Sequence, residues 1–234
     1  MGIMDQKDFL SILRQLNLDN EDEITSALKE KYGLEFGVKL IGNRLASDRM
    51  DTVTAYCFPK NDERIVFKVV MTFMKEIIEE DYILRSAEVK AERLIEKELK
   101  EHGIEGSVLI SFAGVDPQTV QPDGDIVEII AENSNVLISF PTVICGDGDA
   151  GRVYDAVKEA MDSLTGGKKG ISAGTTVWCY ERPEYEKCLS VLRSRSFVTK
   201  TELQRFSPKY YGAISFKGGV INVNRDDFIR EAGK

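Results

Sequence analysis

The six residues Gly146-Asp147-Gly148-Asp149-Ala150-Gly151 form the sharpest chemical pattern in the chain, a GxGxxG spacing between an apolar strand-like run, Val136 to Cys145, and a helical one, Arg152 to Leu164. Glycines so placed let backbone amides approach a pyrophosphate at a helix N-terminus, as in a dinucleotide-binding turn. Two observations oppose that chemistry. Asp147 and Asp149 put negative charge where the phosphates would sit, and Glu181 lies 30 residues beyond Gly151, whereas the ribose-binding acid is expected about 20 residues on. A tight turn with Asp149 at the positive end of the helix accounts for the same letters. A nucleotide-binding enzyme using Gly146 to Gly151 is therefore the alternative and not the primary reading.

Two further groups are candidates. Asp123, Asp125, Asp147 and Asp149 are hard oxygen donors, but neither loop has the D-x-[DN]-x-[DN]-G spacing of a calcium loop, so both read as solvated turns and no metal is expected. Arg193 to Tyr211 carries Arg193, Arg195, Lys200, Arg205 and Lys209 against Glu202, with Phe197, Phe206, Tyr210 and Tyr211 interleaved. Basic and aromatic groups together can grip a single strand, which makes this segment the second alternative, a nucleic-acid binder. The same aromatics serve a packed helix and strand, and the cations serve a surface that meets an acidic partner.

Nucleophilic chemistry finds little support. A Ser/His/Asp set would need His102, the chain's one histidine, and His102 suits the last turn of a helix, where a cation is favoured. No GxSxG, HExxH or GxxxxGK[ST] occurs, while 39 acidic residues offer too many carboxylate pairs to choose among. Cys57, Cys145, Cys179 and Cys188 form no CxxC; buried free thiols are expected, with a Cys179 to Cys188 bridge left open. No catalytic, cofactor-binding or metal-binding residue is assigned, and no organic cofactor is expected.

The elements that would position such groups follow from periodicity. Leu84, Ala87, Ala91, Leu94, Ile95 and Leu99 recur at steps of three and four and make one apolar stripe within the stretch Glu76 to Val115. Burying its four large members contributes roughly 1.5 to 3 kcal/mol each, so the stripe needs a partner surface. Arg85, Glu88, Glu92, Arg93, Glu96, Lys97 and Lys100 fall around it and read as its solvated side. Before it, Asp5 and Asn20 can cap two short helices, the second ending at Gly33. Strands alternating at Phe36 to Leu40, Val53 to Cys57 and Ile65 to Phe73 then suggest an antiparallel meander covered by the long helix.

The segment Lys31-Tyr32-Gly33-Leu34-Glu35-Phe36-Gly37-Val38, with Thr54 to Pro59 and Phe67-Lys68-Val69, resembles an opening module of uncharacterised proteins of Gram-positive bacteria. The resemblance covers about residues 21–112 and brings no activity. It implies a bacterial protein, and some such proteins look membrane-anchored.

After the strand Ser107 to Phe112, the stretch Asp116 to Asp125 has two prolines and little to bury, and reads as a linker. The organisation expected is a first unit over 1–115, a linker over 116–125 and a second, smaller α+β unit over 126–234. The second unit has strands at Ile126 to Ala131, Val136 to Cys145 and Thr175 to Tyr180, and a hairpin over Tyr210 to Val223. An echo of Val108-Leu109-Ile110-Ser111-Phe112 at Val136-Leu137-Ile138-Ser139-Phe140 supports the same division.

At 234 residues, 42% hydrophobic and 30% charged, the chain can bury a core, while its net charge of -8 and pI near 5.0 oppose a duplex nucleic-acid or anionic-membrane binder. Met1 to Lys7 has no basic n-region before an apolar core, and no run approaches a membrane span, so a soluble, cytoplasmic, acidic two-domain protein is expected. A cell-surface location is kept for a chain whose N-terminal anchor was removed. The function class expected is a non-catalytic binding or accessory protein of α+β fold with a protein partner.

Overall fold

The computed structural model describes residues 6–43, 52–72, 74–113, 115, 120, 137–146, 149–165, 172–193, 198–217, 220–221 and 223–232. The chain divides into two compact units, Met1–Tyr82 and Ile83–Lys234.

The first unit opens with α1 (Gln6–Tyr32), one continuous helix where a pair was expected. No glycine or proline interrupts the chain from Gln6 to Tyr32, so Asn20 continues the helix instead of capping a new one. The expected stop is present: Gly33 takes φ +69°, and its N–H donates to the Lys29 carbonyl at 2.8 Å. Next comes an antiparallel meander, β1 (Phe36–Asn43), β2 (Thr52–Pro59), β3 (Phe67–Thr72) and β4 (Ile77–Glu80), paired in chain order. Val53, Ala55 and Cys57 of β2 and Phe67, Val69 and Met71 of β3 are buried, the period-two face seen in the sequence. Ile24 and Leu28 of α1 are fully buried, and α1 packs beside β1. Tyr82 closes this unit against Phe67 and Phe36, with ring centroids 5.1 and 5.3 Å away.

In the second unit α2 (Tyr82–Glu101) runs to a stop at Gly103, φ +71°. There follow β5 (Gly106–Val108), β6 (Ser111–Ala113), β7 (Leu137–Cys145), α3 (Ala150–Thr165), β8 (Ser172–Tyr180), α4 (Arg182–Arg193), α5 (Lys200–Gln204), β9 (Tyr210–Lys217), β10 (Val220–Ile221) and α6 (Arg225–Ala232). The sheet order is β10-β9-β8-β7-β5, with β6 also on β7; β7 and β8 are parallel and the other pairs antiparallel. The whole is α+β, an antiparallel meander and a second, mixed sheet.

This topology redistributes what the sequence divided. The strand Ser107 to Phe112 pairs with β7, and the stripe Ala87, Ala91, Ile95 and Leu99 joins the core of the second unit. The two copies of the VLISF echo are therefore neighbouring strands, Phe112 opposite Ile138. Val115 and Val120, at and inside the expected linker, are buried in the same core; the rest of 116–125, and the expected strand Ile126 to Ala131, lie outside the described residues.

Part of the helix face read as solvated is also buried, while Arg93, Lys97 and Lys100 are exposed as expected. Arg85, Glu88 and Glu92 are 3%, 7% and 1% exposed. The Phe112 N–H donates to Glu88 at 2.9 Å, the Ile110 N–H to Glu92 at 3.0 Å and the Val108 N–H to Glu96 at 3.2 Å. Leu109 points the other way, its N–H donating to Pro141 of β7 at 3.3 Å. A helix advances about 6 Å in four residues and a strand about 6.6 Å in two, so carboxylates at i, i+4 and i+8 match the alternate amides of an edge strand running antiparallel to the helix. Arg85 binds Glu92 at 2.7 Å, Glu88 at 3.1 Å and the Ile110 carbonyl at 3.1 Å. The edge that a sheet leaves unpaired is here occupied by a helix.

Breaking this pairing on one side strands the other. Glu92→Ala removes the nearer of the two carboxylates on Arg85, leaves the Ile110 amide buried without its acceptor, and is expected to cost about 3 to 5 kcal/mol in denaturant unfolding, against less than about 1 kcal/mol for Glu98→Ala on the same helix. Equal costs would show that the buried carboxylate has no special part.

Candidate functional site

The turn at Gly146 to Gly151 stands between β7 and α3, and the parallel β8 lies directly beside β7. α3 packs on the sheet face that carries Ile144 and Val177, whereas α4 packs on the opposite face with Val143 and Trp178. β7, α3 and β8 make one βαβ unit, but the strand order β7-β8-β9 does not reverse there, so the turn is not the switch point at which open α/β sheets bind ligands. The βαβ unit is the one feature of this context that favours a nucleotide-binding turn.

The local chemistry is otherwise. Gly146 adopts φ +84°, a conformation that a Cβ would strain; its N–H donates to the Tyr180 carbonyl at 2.8 Å, and its carbonyl accepts the Cys179 thiol at 2.6 Å. The Asp149 carboxylate accepts the Gly151 N–H at 2.9 Å, and its carbonyl accepts the Val153 N–H at 3.0 Å, which is the geometry of a helix N-cap. Arg225 of α6 lies against the Gly151 backbone where a Cβ would stand, its Nε 3.1 Å from Asp155. First and last glycine thus have structural reasons of their own. Asp147 and Gly148 lie outside the described residues.

A second feature is a groove of about 330 Å³ on the other face of the sheet. There Val143, Trp178 and Tyr180 are covered by α4, through Tyr185 and Leu189, and by Leu203 of α5. Toward Leu137, which is 50% exposed, the cover ends. The bared rows are Ser139–Gly174–Ser215 and Pro141–Thr176–Ala213, small side chains set across three paired strands. Val198, Lys200 and Leu203 line one side of the trough, and Trp178 lies at its end. Gly174 is not glycine for want of room: a Cβ there would meet nothing nearer than the Ile214 carbonyl at 3.9 Å.

Part of the basic segment builds that wall. Thr199 caps α5 in the expected capping box, the Thr199 N–H donating to Glu202 at 2.9 Å and the Glu202 N–H to the Thr199 hydroxyl at 3.2 Å. Lys200 opens the helix at the groove, Lys209 pairs with Glu181, and Phe206 packs against the core around Trp178. Arg195 and Phe197 lie outside the described residues, as do Asp123 and Asp125. His102 follows α2 as expected, its Nε2 3.0 Å from Glu159 of α3.

All four cysteines are free thiols, Cys145 half-buried and the others buried; burial pushes the Cys57 thiol up to about 12 and the Cys188 thiol up to about 11. Sequence reasoning did not single out Ser139, Thr176, Trp178 or Ser215. A run of small and hydroxyl side chains at alternate strand positions was the available signal, but which face stays bare depends on where α4 and α5 stop.

For the turn, NAD or ATP in excess is expected to leave the melting temperature unchanged, and Gly151→Ala to cost no more than about 1 kcal/mol by displacing Arg225 from an exposed ion pair. A native-state ligand at 100 times its Kd adds about 2.7 kcal/mol, so binding would register as a clear rise in thermal melts.

No protein-family model matches the chain. No curated protein matches it either. Among solved structures it is similar to a DUF5037 family protein from Ruminococcus gnavus, at 20% identity and a TM-score of 0.69, over 91% of this chain and 98% of that one. That relative is an uncharacterised protein of a Gram-positive bacterium, in keeping with the resemblance of residues 21–112. The likeness is one of fold and brings no activity with it.

Proposed function

We propose that the protein is a non-catalytic binding protein that takes a small organic anion into the groove of the second sheet. The half-covered sheet face carries this reading: at about 330 Å³ the trough has the volume of a small-molecule site. Pro141, Val198 and Leu203 give it an apolar part, Ser139, Thr176 and Ser215 give hydroxyls, and Lys200 gives a cation. No carboxylate, imidazole or thiol is among its described lining residues, so the groups present suit recognition better than proton transfer. Two further parts of the reading have separate support. Four free thiols suit a reducing cytoplasm. Leu40 and Ile78, 64% and 54% exposed on the two edge strands of the meander, suit an accessory role with a protein partner. No helix of the described residues is long and apolar enough to cross a membrane.

Trp178 is the chain's single tryptophan and lines the groove, so its emission reports occupancy. Phenyl phosphate and benzoate should change it saturably, benzyl alcohol less. Gly174→Leu, whose Cβ has room and whose side chain would occupy the trough, should abolish the change while the melting temperature stays in place. Lys200→Gln should weaken phenyl phosphate about fivefold, the worth of an exposed ion pair near 1 kcal/mol, and leave benzyl alcohol alone. Binding that survives Gly174→Leu would overturn the proposal.

A further inference from the structure

The helix that occupies the sheet edge does so with an excess of negative charge. Glu88 and Glu92 are both more than nine-tenths buried and share the guanidinium of Arg85, whose Nε has no hydrogen-bond partner among the described residues. A second carboxylate on the same guanidinium in a buried interface makes ionisation of Glu88 costly. Arg85 stands 2.7 Å from Glu92 and 3.1 Å from Glu88, so Glu88 has the looser hold on the guanidinium. Glu88 is the weaker member, and burial pushes its carboxyl up to about 7 against the pull of Arg85 and of the Phe112 amide. Among the described residues the charged groups facing it are Arg85 and Glu92 of α2; from β6 it meets the Phe112 amide, and the core beside it is apolar, with Ala87, Ala91, Ile110 and Phe112.

We propose that Arg85, Glu88 and Glu92 form a proton-operated latch on the edge strand: with a proton on Glu88 the strand is held closed along α2, and loss of that proton loosens the Phe112 end first. The sign follows from linkage. A carboxyl whose folded pKa is raised above its unfolded value contributes stability that is complete below the unfolded value and lost as pH rises through the folded one. The window is therefore from about pH 4.5 to about pH 7, with the upper part falling at physiological pH. Glu96, half-buried and bound to the Ser107 hydroxyl and the Val108 amide, anchors the other end.

Hydrogen exchange of single amides in the full chain tests the latch. After correction for intrinsic rates, protection of Phe112 should fall about tenfold between pH 6 and pH 8 relative to Val177 in the central strand β8, with Val108 changing less. In Glu88→Gln, which keeps an acceptor and cannot titrate, the ratio of Phe112 to Val177 should be flat across that range. The infrared carbonyl stretch of a protonated carboxyl should be present in the wild type at pH 6, weaker at pH 8, and reduced in the variant at pH 6. A flat wild-type ratio, a fall that persists in Glu88→Gln, or a carboxyl band that does not change with pH would each overturn the proposal; if the variant does not fold, the wild-type exchange and infrared measurements decide alone.

Discussion

The second unit depends on a match between two lengths, the rise of one helical turn and the repeat of a pleated strand. Because four helical residues and two strand residues span nearly the same distance, Glu88, Glu92 and Glu96 can each meet an amide of Phe112, Ile110 and Val108. A sheet edge that would otherwise invite another chain is closed by side chains, and α2 becomes part of the sheet's hydrogen bonding as well as of its core. The apolar stripe of α2 faces inward while its carboxylates reach sideways to the strand, so burial of charge and burial of the stripe come as one arrangement. Hydrogen bonds from the strand amides and from Arg85 satisfy the oxygens of Glu88 and Glu92, which is what makes burial of the two side chains tolerable.

With that edge fixed, the rest of the sheet can serve two faces unequally. One face is covered by α2, α3 and α6 through Ile95, Val157 and Phe228, and is core throughout. The other is covered only where Trp178 and Tyr180 meet α4 and α5. The side chains along β7, β8 and β9 follow that division, large under the helices and small in the rows of Gly174 and Thr176. A trough beside an aromatic end is the outcome, and it places the groove on a rigid element, where a binding site keeps its geometry.

Much of the local structure was legible in the sequence. Alternation at Val53 to Cys57 and Phe67 to Met71, the glycine stops at Gly33 and Gly103, the capping box at Thr199 and Glu202, and the hairpin of β9 and β10 all follow from rules that act within a few residues. What failed was long-range. Ser107 to Phe112 was placed with the first unit because it follows the helix, yet its partner β7 begins only at Leu137. The glutamates of α2 looked solvated because charge on a helix usually is; their spacing of four was the clue, but only an edge strand beside them gives that spacing a meaning. For the candidate site, the GxGxxG letters drew notice for a motif that Asp149 and Arg225 fill from within, while the groove's residues come from three strands and a short helix that no local pattern connects.

The central claim is that carboxylates of α2 accept hydrogen bonds from the edge strand, and scalar coupling across a hydrogen bond reports this contact directly. In a uniformly labelled sample, coupling between the Ile110 amide nitrogen and the Glu92 side-chain carboxyl carbon is expected, with a second from Phe112 to Glu88. Absence of the Ile110 coupling while the backbone coupling from Leu109 to Pro141 is observed would show that the strand is held by β7 alone, and would contradict the account.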